Sequence, residues 1–252
     1  MNSVIINNLS CSYGKHSVLN NVSFEVKKND LLFVMGNNGC GKTTLLKCIL
    51  NSVSSFSGTI RIDDNIIKNI SQKQFSKIVS YVPQNININC SYKVKDYLVL
   101  GRNPYIVMGN PKKKDFDIVE KYAIETGITD ILNHDFHTLS GGQKQWVAIT
   151  RALVQETPII IMDEPMSALD LGKQAELLEL LFQLKKKGKT IILTTHNPVH
   201  SLSIESNVCL IHNNHILKYG KAKEVLTREN INLVYGNKVK INQELGHISF
   251  KV

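Results

Sequence analysis

The sequence of 252 residues predicts an α/β fold built around a largely parallel sheet. Three apolar runs, Leu31–Met35, Ile159–Met162 and Thr190–Thr194, have the length and composition of strands buried on both faces. Stretches with helical periodicity alternate with them. Two regions differ, because the first thirty residues are β-rich and helical patterns dominate 93–157. We therefore expect one domain over 1–252, with an N-terminal antiparallel β-subdomain and a helical subdomain inserted at about 93–157.

The individual elements follow from local patterns. Val4–Ile6 and Val22–Val26 are rich in β-branched residues and predict strands of the N-terminal subdomain. Helices are predicted where apolar residues recur at helical spacing, namely at Lys42–Leu50, Phe116–Glu125, Gln143–Gln155 and Gln174–Lys187. In the last part of the chain, Val208–Ile211 and His215–Leu217 predict a hairpin. Two short helices are predicted after it, at Lys223–Leu226 and Glu229–Tyr235.

Composition narrows the class of protein. Hydrophobic residues make up 42% and charged residues 20%, which is typical of a folded chain. No run reaches the roughly 18–20 apolar residues of a membrane-spanning helix, and no secretion signal is expected. The net charge of +9 suits a nucleic acid, a nucleotide or an anionic membrane surface, or simply a solvated basic surface. Five cysteines without a C-x-x-C pair favour reduced thiols over a zinc site.

A glycine-rich loop carries the strongest chemical signal. Its eight residues, Gly36–Thr43, fit the pattern G-x-x-x-x-G-K-[ST] between a strand and a helix. In such a loop backbone N–H groups surround a phosphate, Lys42 neutralises the β- and γ-phosphates, and the Thr43 hydroxyl ligates Mg²⁺. The fold is therefore expected to be a P-loop NTPase core. The candidate nucleotide-binding residues here are Gly36, Asn37, Asn38, Gly39, Cys40, Gly41, Lys42, Thr43 and Thr44.

Cys40 has an unusual position inside this loop. The nearby ammonium of Lys42 and the helix N-terminus both favour a thiolate. We therefore expect a bulky thiol reagent to block nucleotide binding, and the alternative is a small buried residue that only fills space.

Two adjacent carboxylates follow the second apolar strand. Asp163 ends the run Ile159–Met162, at the carboxyl edge where parallel sheets bind ligands, so it is a candidate Mg²⁺ ligand. Glu164 is the candidate general base for an attacking water. Its side chain should point elsewhere than that of Asp163, because successive strand residues alternate.

Further motifs resemble those of the ATP-binding-cassette (ABC) ATPases. Leu139-Ser140-Gly141-Gly142-Gln143 resembles the family's signature motif, and it precedes a helix. The remaining motifs occur in the family's order: Tyr13 resembles the adenine-stacking aromatic, Gln84 the Q-loop glutamine, Asp170 the D-loop aspartate and His196 the switch histidine.

The resemblance implies ATP and Mg²⁺ as cofactors and a head-to-tail homodimer with ATP at its interface. The catalytic residues would be Lys42, Glu164 and His196. Thr43, Gln84 and Asp163 would hold the metal. The nucleotide would also contact Tyr13, Gln84, Ser140, Gly141, Gly142, Gln143 and Asp170.

One segment points to a particular kind of cassette. Val94–Tyr105, with Gly101-Arg102-x-Pro104-Tyr105, resembles a stretch of the ATPases that import iron–siderophores, haem, cobalamin or metal oxyanions. The resemblance implies transmembrane permease subunits that dock near 84–108, with Arg102 and Tyr105 at that surface. It also implies an indirect extracytoplasmic substrate-binding protein, and a position on the cytoplasmic face of the membrane.

Two other functions stay open. An exporter or lipid-handling complex would use the same chemistry, although the 101–105 stretch argues against it. A nucleic-acid-associated ATP switch would suit the net charge of +9. Such proteins usually carry long coiled coils or two cassettes in one chain, and neither pattern is present here, so no nucleic acid is expected as a partner.

Overall fold

The computed structural model describes residues 2–53, 55–86, 91–236, 239–242 and 247–250. The chain divides into two compact units, Met1–Ile70 with Glu176–Val252, and Ser71–Ala175. The strands are β1 (Asn2–Tyr13), β2 (His16–Lys27), β3 (Leu31–Met35), β4 (Ser57–Ile62), β5 (Asn65–Ile66), β6 (Val79–Val82), β7 (Ile159–Met162), β8 (Thr190–Thr194), β9 (Asn207–His212), β10 (His215–Lys221), β11 (Val239–Asn242) and β12 (His247–Phe250). The helices are α1 (Lys42–Ile49), α2 (Gln72–Phe75), α3 (Val94–Val99), α4 (Lys113–Glu125), α5 (Gly141–Val154), α6 (Leu171–Lys186), α7 (Pro198–Leu202), α8 (Ala222–Val225) and α9 (Arg228–Tyr235).

An antiparallel sheet with the order β2-β1-β4-β5 forms the N-terminal part of the first unit. Successive side chains of a strand point to opposite faces of the sheet, and on β1 the side chains of Val4, Ile6 and Leu9 are fully buried. The register of β1 shifts between Ile6 and Leu9, where Asn8 has a left-handed φ of 50°. Asparagine tolerates this conformation, and the shift increases the local twist. The predicted antiparallel β-subdomain is confirmed.

Parallel pairing of β3 is the second feature of the first unit, which also contains the antiparallel pair β11–β12. β3 pairs in parallel with β8 and with β9, and β9 continues into the antiparallel hairpin with β10. Every residue of β3 and β8 is buried, which agrees with the apolar run of β3 and with the Ile191–Leu193 centre of β8. The hairpin was predicted, whereas the parallel pairing of β9 with β3 was not.

The second unit contains one parallel strand pair and the helices α2, α3, α4 and α5. β6 pairs in parallel with β7, from Val79 opposite Ile159 to Val82 opposite Met162. The sequence analysis missed β6 because Ser80 interrupts its apolar pattern. The Ser80 hydroxyl is buried and accepts a hydrogen bond of 2.9 Å from the Thr157 hydroxyl, so its polarity is compensated.

The predicted helical subdomain, 93–157, lies inside this second unit and contains α3, α4 and α5. α5 begins at Gly141, two residues before the predicted start, because the two glycines already belong to its first turn. The boundaries 93–157 and the single domain over 1–252 stay predictions. In the described part of the chain, no helix is long and apolar enough to span a bilayer.

Candidate nucleotide-binding site

The glycine-rich loop joins β3 to α1 in the first unit. Gly36 has a φ of 148°, and a Cβ placed there would lie 2.4 Å from the Ile211 carbonyl oxygen and 2.6 Å from Cys40 Sγ. Gly41 has a φ of 104° and caps α1. Both positions therefore require glycine, for space and for backbone conformation. The resulting turn directs the first N–H groups of α1 toward the loop, as an anion site needs.

Lys42 occupies this loop in the present state. Its side chain is buried, and Nζ donates to the carbonyl oxygens of Gly36 at 3.0 Å and Asn37 at 3.2 Å. The loop thus wraps its own ammonium group, which has three N–H groups to share between these carbonyls and a phosphate. Thr43 and Thr44 follow in the first turn of α1.

Cys40 corrects one expectation. Its side chain is buried, and burial raises the pKa of the thiol above the ordinary value, although Lys42 acts in the opposite direction. Desolvation therefore outweighs the nearby positive charge. The expectation that the thiolate is favoured is therefore wrong, whereas the expected block of nucleotide binding by a bulky thiol reagent stays a prediction.

The two carboxylates differ strongly in their environments. Asp163 is 1% exposed, and its backbone N–H donates to the Val82 carbonyl at 2.9 Å, which continues the pairing of β6 with β7. Glu164 is partly exposed and has a left-handed φ of 44°. Both residues lie beyond β7, which ends at Met162, so the alternation of strand residues does not apply to them. The chain leaves the strand at Glu164 through a conformation that non-glycine residues rarely adopt.

The Q-loop glutamine contacts the candidate base directly. Gln84 Nε2 donates to Glu164 Oε2 at 3.0 Å, and Gln84 itself is exposed. The sequence analysis placed these residues in different motifs, 80 positions apart, and the structure brings them together within the second unit. The amide therefore restrains one carboxylate oxygen of the candidate base.

The signature motif forms a capped helix start. The Ser140 hydroxyl accepts from the Gln143 backbone N–H at 3.3 Å, and the Gln143 side chain accepts from the Ser140 N–H at 2.9 Å. This capping box holds the first turn of α5. A Cβ at Gly142 would lie 3.2 Å from the Ala168 carbonyl, so the glycine lets the segment before α6 approach closely.

Asp170 has a structural contact in addition to its predicted role. Its carboxylate accepts from the Lys173 backbone N–H at 2.8 Å, and its carbonyl accepts from the Gln174 N–H at 2.8 Å. Asp170 therefore caps the start of α6. The predicted contact with a nucleotide stays a prediction.

His196 follows β8 and is exposed, while its neighbour Thr195 is buried. Behind them His200 is buried, with Nδ1 3.1 Å from the Thr195 hydroxyl and Nε2 3.3 Å from Asn197 Nδ2. Burial, reinforced by His196, lowers the pKa of His200 to about 4. The sequence analysis missed His200 and Asn197, although Asn before Pro198 is a recognisable helix N-cap.

Tyr13 ends β1 opposite His16 and is 51% exposed, so its ring offers a surface on which a base could stack. Its predicted role in binding adenine stays a prediction.

Arg102 is buried, and Tyr105 packs against it. Arg102 is 7% exposed and forms ion pairs with Asp115 at 3.4 Å and Glu156 at 3.0 Å. Its guanidinium lies 4.3 Å from the Tyr105 ring centroid, and the Tyr105 hydroxyl donates to the Gln155 carbonyl at 3.0 Å. These contacts hold the second unit together, so the expected position of Arg102 at a partner surface is wrong. Tyr105 is half-buried, and its expected place at a docking surface stays a prediction.

A glycine-rich loop that wraps a buried lysine at a strand–helix junction defines a P-loop nucleotide-binding protein. The sequence profile described as "ABC transporter" matches residues 19–167. The chain belongs to this family, and it is an ATP-binding cassette of the kind that hydrolyses ATP for transporters.

Relatives cover nearly the whole chain. The ferric enterobactin transport ATP-binding protein FepC of Escherichia coli (strain K12) is 32% identical over 90% of this chain and 85% of its own length. The manganese transport system ATP-binding protein MntB of Bacillus subtilis (strain 168) is 31% identical over 94% and 93%. A solved metal-chelate type ABC transporter in an inward-facing conformation matches with a TM-score of 0.83 and 28% identity, over 99% of this chain and 96% of that one.

Proposed function

We propose that this chain is the ATP-hydrolysing subunit of an importer for a metal ion or metal chelate, working at the cytoplasmic face of the membrane with a separate permease. The geometry of Glu164 carries the catalytic part of the proposal. A carboxylate in a left-handed conformation, held by the amide of Gln84, fits a general base. The importer part is supported by relatives whose names specify ferric enterobactin transport and manganese transport.

The roles of the residues follow from the chemistry of phosphoryl transfer. Lys42 and the N–H groups of the loop bind the phosphates of ATP, and Tyr13 stacks on the base. Glu164 accepts a proton from the attacking water, and His196 contacts the γ-phosphate. The hydroxyl of Thr43, the amide of Gln84 and the carboxylate of Asp163 are hard oxygen donors that suit Mg²⁺. A bound Mg²⁺ supplies charge neutralisation at the phosphates.

The signature motif implies a second copy of the chain. Ser140, Gly141 and Gly142 begin α5 and offer N–H groups to an anion. The phosphate loop of the same chain is already one anion site, so we propose that the signature motif of one copy contacts ATP held by the other. Such a dimer is head-to-tail and symmetric.

The permease surface is better placed at Val107 and Met108 than at Arg102 and Tyr105. These two side chains are 86% and 91% exposed, directly after the buried Arg102 cluster. Exposed large apolar residues at the end of a rigidly held segment suit an interface with another protein. The proposed docking region is therefore still 84–108, but the proposed contact residues are now Val107 and Met108.

The test uses Val107→Ser with Met108→Ser in the full chain, reconstituted with its permease. We expect basal ATPase to stay within about twofold, while permease-stimulated ATPase falls about tenfold or more, as for an apolar anchor worth about 1.4 kcal/mol or more. Ile124→Ser is the matched control, because Ile124 is 70% exposed on α4. Normal stimulation of the double variant would place the permease elsewhere.

The cargo is tested separately. The reconstituted complex, supplied with its binding protein, should show ATPase stimulated by a metal chelate or free metal ion and not by sugars or amino acids. Stimulation by a lipid in the absence of any binding protein would contradict import and favour the exporter alternative.

A further inference from the structure

His196, the candidate switch histidine, lies in a turn whose two neighbouring residues contact the same buried imidazole. Thr195 precedes it and Asn197 follows it, and both are hydrogen-bonded to His200 in α7. His200 Nδ1 lies 3.1 Å from the Thr195 hydroxyl oxygen, and Nε2 lies 3.3 Å from Asn197 Nδ2. His196 is exposed, whereas Thr195 and His200 are buried. The exposed histidine is therefore held between two residues that are fixed from the inside of the protein.

The hydrogen bonds assign the tautomer of His200. Asn197 Oδ1 accepts from the Val199 backbone N–H at 3.1 Å, so the amide group that faces His200 is the Nδ2 donor. His200 Nε2 therefore accepts, and Nδ1 carries the proton and donates to the Thr195 hydroxyl oxygen. This pattern requires a neutral ring. Burial lowers the pKa of His200 to about 4, so the ring is neutral at neutral pH.

The same turn is fixed to β3, the strand that leads into the phosphate loop. The Thr195 backbone N–H donates to the Val34 carbonyl oxygen at 3.2 Å. The Asn197 backbone N–H donates to the Thr195 hydroxyl oxygen at 3.1 Å. This hydroxyl oxygen therefore accepts one hydrogen bond from the backbone of the turn and one from the imidazole of His200. Through it, the strand, the turn and α7 are joined around His196.

We propose that His200 is a positioning residue for ATP hydrolysis, which holds the turn that carries His196. Its two ring nitrogens bond to the residues on either side of His196, so they restrain the backbone from which that side chain extends. Geometry matters at such a position, because a displacement of about 1 Å can cost roughly 10²-fold in rate. The inference rests on the proposed contact of His196 with the γ-phosphate, and it is independent of the cargo and of the permease.

The test measures ATP turnover by the full chain. His200→Phe keeps a buried ring without nitrogens, and Thr195→Val keeps the shape of threonine without the hydroxyl. Each should lower kcat about 5- to 50-fold, while KM for ATP stays within about threefold because the phosphate loop is unchanged. Val26→Ala is the control for lost packing, since Val26 is fully buried in β2. It should lower stability and leave kcat within about twofold.

A variant of His196 separates this inference from the proposed function. His196→Ala should itself lower kcat, and His200→Phe added to it should change kcat by less than about twofold, because the positioned group is already missing. Normal turnover in His196→Ala would remove the proposed γ-phosphate contact and this inference with it. Slow turnover in His196→Ala with normal turnover in His200→Phe and Thr195→Val would overturn the inference alone. So would effects that multiply in the double variant, because His200 would then act only through packing.

NMR of the imidazole nitrogens tests the hydrogen-bond pattern without a measurement of activity. At neutral pH, Nδ1 of His200 should carry the proton, and Nε2 should have the chemical shift of an unprotonated ring nitrogen. Thr195→Val should move the Nδ1 resonance, and Val26→Ala should leave it in place. A proton on Nε2, or an Nδ1 resonance unaffected by Thr195→Val, would contradict the proposed role of His200.

Discussion

Glu164 combines a backbone conformation of low probability with a chemically useful environment. A left-handed φ of 44° costs on the order of 1 kcal/mol for a residue other than glycine. The hydrogen bond from Gln84 helps to hold the side chain in this arrangement. Such strain is commonly retained where it serves function, which supports Glu164 rather than Asp163 as the base.

Glu164→Gln should therefore abolish turnover while ATP still binds. A positioned general base contributes about 10²- to 10⁴-fold to rate, and glutamine keeps the shape but cannot accept the proton. The measurement is steady-state phosphate release together with equilibrium binding of ATP. Glu179→Gln is the control, an isosteric change at an exposed position of α6. Near-normal turnover in Glu164→Gln would assign the base to another residue.

The buried imidazole of His200 should make the free energy of unfolding depend on pH. Its pKa is lowered to about 4 in the folded chain, mainly by burial, against about 6.5 in the unfolded chain. The folded state therefore resists protonation, and this contribution is fully present above pH 6.5. This contribution to the free energy of unfolding amounts to at most about 3 kcal/mol, and it is lost as the pH falls from about 6.5 to about 4.

Urea unfolding at pH 7.5 and pH 5 checks this prediction. His200→Gln should lose less stability between the two pH values than the natural chain does. His137→Gln, at an exposed position, should behave like the natural chain. Equal pH dependence in all three proteins would show that His200 is protonated without cost.

Two helices begin with the same type of capping box, so the effect of a lost cap on stability can be compared with its effect on activity. Ser71 begins α2 and Ser140 begins α5, and each forms a capping box with a glutamine three residues later. Loss of either hydroxyl should cost about 0.5–2 kcal/mol of unfolding free energy. Only Ser140 lies in the signature motif.

Ser140→Ala should therefore lower ATPase activity as well as stability, and Ser71→Ala should lower stability alone. Activity is measured at saturating ATP, well below the unfolding temperature of both variants. An equal loss of activity in the two variants would mean that α5 acts only through stability.

The helices and strands could largely be predicted where one periodicity dominated. The fully apolar β3 and β7, the largely apolar β8 and the amphipathic α4 and α5 lie within a few residues of their predicted positions. Side-chain contacts could not be predicted in the same way. Arg102 carries a family-like motif, but only the fold places Asp115 and Glu156 beside it. A charged residue in a motif was therefore interpreted as a surface residue, although it is a buried, paired one.

At the scale of the whole molecule, the proposed dimer gives a direct prediction. Glu164→Gln mixed with ATP should have about twice the 28.3 kDa mass of the single chain, because bound ATP persists between two copies. Light scattering after gel filtration, over a range of concentrations, measures this. Lys42→Ala with ATP should stay monomeric under the same conditions. A mass of 28.3 kDa for Glu164→Gln with ATP would argue against the sandwich arrangement.

The fold class followed from the sequence because its motifs occur in a fixed order along the chain. Long-range connections did not follow. The pairing of β9 with β3, the bond between Asn37 and Val234 and the contact between Gln84 and Glu164 all join distant positions. Nothing in local periodicity or propensity specifies such pairs, because they depend on how complete elements pack.

The position of β3 has a consequence for synthesis of the chain. All five residues of β3 are buried, yet its partners β8 and β9 lie about 155 residues or more later in the chain. At a synthesis rate of about 5–20 residues per second, the emerging segment waits roughly 8–30 s for its neighbours. During that interval an apolar, extended peptide is exposed to the crowded cytosol. Chaperones that cover nascent extended segments should therefore influence the yield of this protein more than its final stability would suggest.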